Sequence, residues 1–248
     1  PEPAEKLRIY GEDLSFTNEE FDHILNRNFA YYRKLSPHNQ EIFIARLKYF
    51  IEDKTFIIHD DQGFKEMPIL VSAAAIQITF GLDGYLLPHF THIQIYPEEF
   101  LRTYPHLCFL EGNVSGKSIR LSWKHFLIGI HIENDGQHVG LHEMAHALYY
   151  QHFIAEHQND RNFRKYFEYF NDDNNEVYQV EQAATAGLYS RNAMKNLQEF
   201  WAESVEIFFE KSSVLYQMYP TVYLAVEQIL NQDPMLLLKT NGSAEYPG

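Results

Sequence analysis

Residues 138–151 read HVGLHEMAHALYYQ, and they place His142, Glu143 and His146 in the spacing H-E-x-x-H. On a helix, side chains at i and i+4 project from one face about 5–6 Å apart, so both imidazoles can reach one tetrahedral zinc ion. Glu143 between them cannot share that ligation, but it can reach a water at the metal as general base. The competing reading is a partly solvated helix face in a chain with 13 histidines. The flanks argue against it: Val139, Leu141, Met144, Ala145, Ala147 and Leu148 make this helix largely buried. A buried histidine pair beside a glutamate needs partners, and a metal supplies one.

A hydrolytic zinc takes three protein ligands and keeps one position open. Candidates for the third lie in NLQEFWAESVEIFFEKS (196–212), where Glu199, Glu203, Glu206 and Glu210 form one acidic stripe. Such stripes are often solvated faces. Here Leu197, Phe200, Trp201, Val205, Ile207, Phe208 and Phe209 cover most of the remaining circumference, which predicts a buried helix. Glu199 as ligand and Glu203 one turn later, holding a ligating imidazole, would account for two buried carboxylates. Glu206 and Glu210 are expected to emerge toward solvent.

The wider chain bounds what such a site can serve. Its 248 residues fit one large domain or two small ones. The net charge of −14, with no basic run, argues against direct nucleic-acid binding, which needs clustered Lys and Arg. The single cysteine, Cys108, excludes an intrachain disulfide and a Cys-rich zinc site, and is expected as a buried apolar thiol. The longest apolar run, ILVSAAAIQITFGL (69–82), is too short and too polar for a bilayer, so no membrane span is expected within this chain. A reducing compartment is permitted, and the location expected is cytoplasmic, with an anchor or signal upstream of Pro1 left open.

Residues 1–16 read as an irregular arm, followed by a single domain over 17–248. Its N-terminal part, about 17–66, is mainly helical, and the metal site falls within 137–212. Thr17 and Glu20 form a capping box ahead of a helix over about 18–34, and Ser36-Pro37 opens another over 36–53. TFIIHD (55–60), THIQIYP (91–97) and KSIRLSW (117–123) read as strands, the last two by their alternation. Pro68 opens an Ala-rich helix through Phe80, and Asn134 or Asp135 can cap the helix of the opening motif. The remainder is helical, with loops near 171–175 and 187–192. The fold class expected is α+β, mainly α, with a small β-sheet and the HExxH helix.

Several of these stretches together resemble the Mlc titration factor A (MtfA) type zinc peptidases, gluzincins related in their catalytic core to the anthrax lethal factor protease domain. ILVSAAAIQITFGLDGYLLPHFTHIQIYPEEF (69–100) is similar to the family's Ala-rich helix and following strand. SGKSIRLSWKHFLIG (115–129), DGQHVGLHEMAHAL (135–148) and EFWAESVEIFFE (199–210) are similar to the lead-in segment, the zinc helix and the second metal helix, and YPTVYLAVEQILNQDP (219–234) to the C-terminal helix. The resemblance implies a zincin-like metallopeptidase fold, one Zn2+ per chain and Glu199 as the third ligand. It also implies a tyrosine that stabilises the oxyanion, best matched by Tyr189 with Tyr178 as the fallback. Relatives carry Leu-Asp after the second histidine and then a Gly-rich stretch; here Leu148 is followed by Tyr149, and YQHFIAEHQNDRNF (150–163) has no glycine. A different cleft wall is therefore expected.

These residues predict a zinc-dependent peptidase acting on a peptide or protein substrate, with Glu143 as general base. The resemblance implies that the strand near Ile119 to Leu121 pairs with an extended peptide, and that action is aminopeptidase-like. The rival is a regulatory protein-binding module with a mainly structural zinc, its partner a protein such as the transcriptional repressor for which the family is named. Glu143 weighs against the rival, because a structural site has no need of a carboxylate there. A zinc hydrolase of non-peptide substrates is a third reading.

Overall fold

One helix, Glu66–Thr79, is buried from Met67 to Thr79, with other described elements packed around it. A sequence apolar on every side can only be stable when covered on every side. In the computed structural model, which describes residues 7–60, 63, 65–102, 107–154 and 161–239, a sheet and several helices supply that cover.

In chain order the elements are β1 (Leu7–Tyr10), α1 (Asn18–Asn28), α2 (Ala30–Lys34), α3 (Pro37–Glu52), β2 (Thr55–Ile58), α4 (Glu66–Thr79), β3 (His92–Tyr96), β4 (Phe100–Arg102), β5 (Cys108–Leu110), β6 (Gly112–Ser115) and β7 (Ser118–Ser122). The helical half follows: α5 (Trp123–His131), α6 (Val139–Phe153), α7 (Arg161–Asp173), α8 (Asn175–Ala183), α9 (Leu197–Glu210), α10 (Ser212–Met218), α11 (Pro220–Leu230) and α12 (Pro234–Lys239). The fold is α+β and mainly helical, as the sequence pattern predicts. None of the helices among the described residues is long and apolar enough to cross a membrane.

The main sheet has the order β1-β2-β3-β7-β6. β2, β3 and β7 run parallel, while β1 and β6 pair antiparallel at the two edges. Register aligns Phe56, Ile93 and Ile119 in one row and Ile58, Ile95 and Leu121 in the next. All six are buried, so alternation along each strand directs one face of the sheet onto the helices. The other face is polar: Gln94 bonds His59 at 3.0 Å and donates to Ser118 Oγ at 3.1 Å.

Several expectations need correction. Leu7–Tyr10, read as part of an irregular arm, is β1, paired with β2 from Leu7↔Ile58 to Tyr10↔Thr55. Its partner lies some fifty residues away, so no local signal marks it; residues 1–6 lie outside the described residues. The helix expected over 18–34 breaks at Phe29, whose φ of −127° and ψ of 100° are extended. The capping box of Thr17 and Glu20 and the Ser36 cap form as predicted. β4, β5 and β6 went unread because strands of three or four residues carry almost no periodicity.

Candidate metal centre

The HExxH helix is α6, and its N-terminus is organised differently from the expectation. Neither Asn134 nor Asp135 caps it; His138 does, with Nδ1 accepting from the Leu141 N–H at 3.2 Å. His138 is buried, which depresses its pKa to about 4 and keeps the ring neutral, as an accepting cap requires. His138 N in turn donates to Glu206 Oε2 at 2.5 Å. The start of α6 is thus fastened to α9 as well as to its own first turn.

α9 packs against α6, and Trp201 Nε1 donates to Ala145 O at 3.0 Å in the buried seam. The helix begins at Asn196, whose Oδ1 accepts from the N–H groups of Gln198 and Glu199, both at 3.0 Å. Glu199 therefore sits in the first turn, where the helix dipole favours a carboxylate. It faces His142 Nε2 at 3.3 Å and His146 Nε2 at 3.5 Å, one oxygen to each.

The two Nε2 atoms lie 3.1 Å apart, and the candidate ligand atoms of His142, His146 and Glu199 all fall within 4.8 Å of one another. Two nitrogens at tetrahedral positions about 2.0–2.1 Å from one zinc would be about 3.4 Å apart, so this spacing fits a shared ion. Two imidazoles and one carboxylate are also the donor set of catalytic rather than structural zinc. His142 Nδ1 reaches Glu206 Oε1 at 2.6 Å, which turns Nε2 toward the trio, where a bound metal would displace its proton. Burial alone would lower the His142 pKa, but the Glu206 carboxylate overrides it, helped by Glu199, and the pKa rises well above its ordinary value. Burial likewise opposes ionisation of Glu199, yet hydrogen bonds from the two imidazoles hold its pKa below the usual carboxylate range. An array that draws this much positive charge suits a cation.

Glu143 is 5% exposed, and its Oε2 is buried without a hydrogen-bond partner among the described residues. Burial pushes its pKa up to about 7. The carboxylate lies directly beneath β6: a Cβ built on Gly112 would stand 2.4 Å from Glu143 Oε1. Gly112 is therefore the residue whose missing side chain makes room for Glu143.

The remaining predicted residues are placed elsewhere. Glu203, expected on a ligating imidazole, accepts from Ser190 N and Ser190 Oγ, both at 2.5 Å, and ties down the loop before α9. Glu206, expected at the solvent, is 6% exposed and takes the role foreseen for Glu203. Glu210 is half-buried with Oε2 unpartnered among the described residues, again contrary to expectation. Tyr189 borders the cleft, but its hydroxyl bonds Ser204 Oγ at 2.9 Å, and its ring packs on Phe200. Ser204 lies five residues beyond Glu199, about 140° round the helix, so the Tyr189 hydroxyl does not join the trio. Tyr178 is also committed, donating to Met194 O at 2.9 Å. Asn192 was missed: its Nδ2 donates to Glu199 Oε2 at 2.8 Å. Cys108 is half-buried at the cleft, not sealed in the core.

The trio, Glu143, Glu203, Glu206, Tyr189, Asn192 and Cys108 border one cleft of about 1020 Å³, walled by α6 and α9 and roofed by β5 and β6. β6 is the sheet edge on this side. The expected pairing strand near Ile119 to Leu121 is β7, which is already flanked by β3 and β6. Among the described residues the free edge belongs to β6. Ser122 N donates to Glu111 O at 2.6 Å, so by antiparallel alternation Asn113 bonds inward to β7 while Gly112 and Val114 turn their N–H and C=O outward.

The sequence model of the glucose-regulated metallo-peptidase M90 family matches residues 12–230. No curated protein matches the chain.

Proposed function

The chain belongs to the glucose-regulated metallo-peptidase M90 family, and from that premise we propose that it is a zinc-dependent peptidase of gluzincin type, with Glu143 as general base. The match fits a zincin-like metallopeptidase fold. His142, His146 and Glu199 are the residues that would hold the ion. Zinc bound there would polarise a peptide carbonyl and lower the pKa of water toward about 7.

The chain's own residues carry the rest. An extended peptide lies along the open edge of β6, hydrogen-bonded to Gly112 and Val114, with its scissile carbonyl toward the trio. Glu143, beneath Gly112, takes the proton from the attacking water and passes it to the leaving amine. Glu206 keeps His142 oriented, with the proton on Nδ1. Asn192 steadies Glu199 by donating to Oε2, the oxygen that also faces His142.

The observation that carries this reading is the buried, unpartnered Oε2 of Glu143 beside the trio. Leaving a carboxylate oxygen dry and unbonded is costly unless it serves a reacting group. A structural zinc in a binding module would have no use for it. Glu143→Gln should retain zinc and lose turnover of short peptides by about 10²–10⁴-fold, whereas Glu199→Ala should lose the metal. Zinc content by elemental analysis, read beside hydrolysis rates, separates the two. Unchanged turnover in Glu143→Gln would refute the mechanism.

A further inference from the structure

The cleft is lined by carboxylates, yet its roof carries a guanidinium with no counter-charge among the described residues. Arg102 on β4 pairs with Cys108 on the antiparallel β5, and both border the cleft together with Leu110. The Arg102 Nε is buried and has no hydrogen-bond partner, and the guanidinium forms no ion pair among the described residues. Two lysines, Lys195 and Lys211, also border the cleft without an ion pair among the described residues, and Lys195 donates to the neutral Asn192 Oδ1 at 2.6 Å; both are flexible point charges. A guanidinium stays charged at every working pH and presents a planar fork suited to a carboxylate. Glu111, Glu199 and Glu203 would repel an anion elsewhere in this cleft.

We propose that Arg102 anchors a carboxylate that the substrate carries on the C-terminal side of the scissile bond. This deepens the peptidase reading and rests on it. β5 leads into β6, and Cys108 precedes Gly112 by four residues, a span of at most about 14 Å. A peptide added antiparallel to β6 runs in the opposite direction, so the part of it beneath β5 lies C-terminal to the part beneath Gly112. Glu143 marks the scissile bond at Gly112. The carboxylate bound by Arg102 therefore falls within about four residues after the bond. It is either the C-terminal carboxylate of a short peptide or the side chain of Asp or Glu.

Binding to zinc-loaded Glu143→Gln, followed by fluorescence anisotropy, tests this without turnover. Three peptides of one sequence are compared: the free acid, the neutral C-terminal amide, and the amide with Glu placed after the scissile bond. At least one carboxylate peptide should bind about tenfold or more tighter than the neutral amide, and which one does so identifies the source. Adding Arg102→Gln should bring that ratio to about one, and adding Arg102→Lys should restore part of it. Equal binding of all three, no binding of any, or a ratio unchanged by Arg102→Gln overturns the proposal. Cleavage of the same peptides by the zinc-loaded wild type reports separately on the peptidase reading, so the two can fail independently.

Discussion

Glu203 and Glu206 stand four and seven residues beyond Glu199, and both share its helix face. Their different fates follow from the direction in which α9 meets α6. Glu199 faces His142 and His146, while Glu206 faces His142 and the His138 N–H, so α9 advances as α6 recedes. The imidazole that needs an Nδ1 partner is therefore met two turns along α9, and Glu203 is left to the Ser190 loop. Glu206→Gln should weaken zinc affinity about 10–100-fold in competition with a chelator, while Glu203→Gln should leave affinity unchanged and loosen the loop. Equal losses from both would show that the imidazole contact is not what matters. Gly112→Ala is the sharpest steric test, since its methyl group would occupy the space of Glu143 Oε1. A displacement of about 1 Å can cost about 10²-fold in rate. The variant should bind zinc normally and hydrolyse slowly; full activity would mean that Glu143 is not held there.

At the level of elements, the two helices that carry the site are stabilised by means other than those the sequence advertises. α6 is capped by a buried neutral histidine and by a carboxylate from another helix. α9 ends on Glu210, where the helix dipole disfavours negative charge, and burial with the neighbouring Asp135 carboxylate pushes its pKa up to about 8. The folded state therefore holds a proton on Glu210 that the unfolded chain releases at its ordinary value of 4.5. Stability from this group falls as pH rises from that value toward about 8. Glu210→Gln removes the loss, so its melting temperature should exceed the wild type's at pH 8.5 and differ little at pH 5. A difference independent of pH would assign the effect to packing instead.

For the whole molecule, the core consists of apolar side chains that are not metal ligands: α4, the inner face of the sheet and the aromatic seam around Trp201. Chelation should therefore leave far-UV circular dichroism intact. It should lower the melting temperature of the zinc-loaded protein by about 5–10 °C, from linkage of about 2.7 kcal/mol at a free zinc level one hundred times Kd. Unfolding on chelation would mean that the metal organises the fold, as in a structural zinc site.

The sequence by itself determined the helix with His142, Glu143 and His146, the neighbouring helix with Glu199, the strands β2, β3 and β7, and the family. Each is written in local spacing: i to i+4 on a helix, alternation on a strand, caps at helix starts. The tertiary structure alone decided that Glu206 rather than Glu203 holds His142, that the Tyr189 hydroxyl is bound to Ser204, that β1 joins the sheet, and that the free edge is β6 over Gly112. Those outcomes depend on which face and which height of one element meets another. Periodicity fixes a side chain's angle about its own axis, but the partner it meets is set by how the packed elements lie against each other.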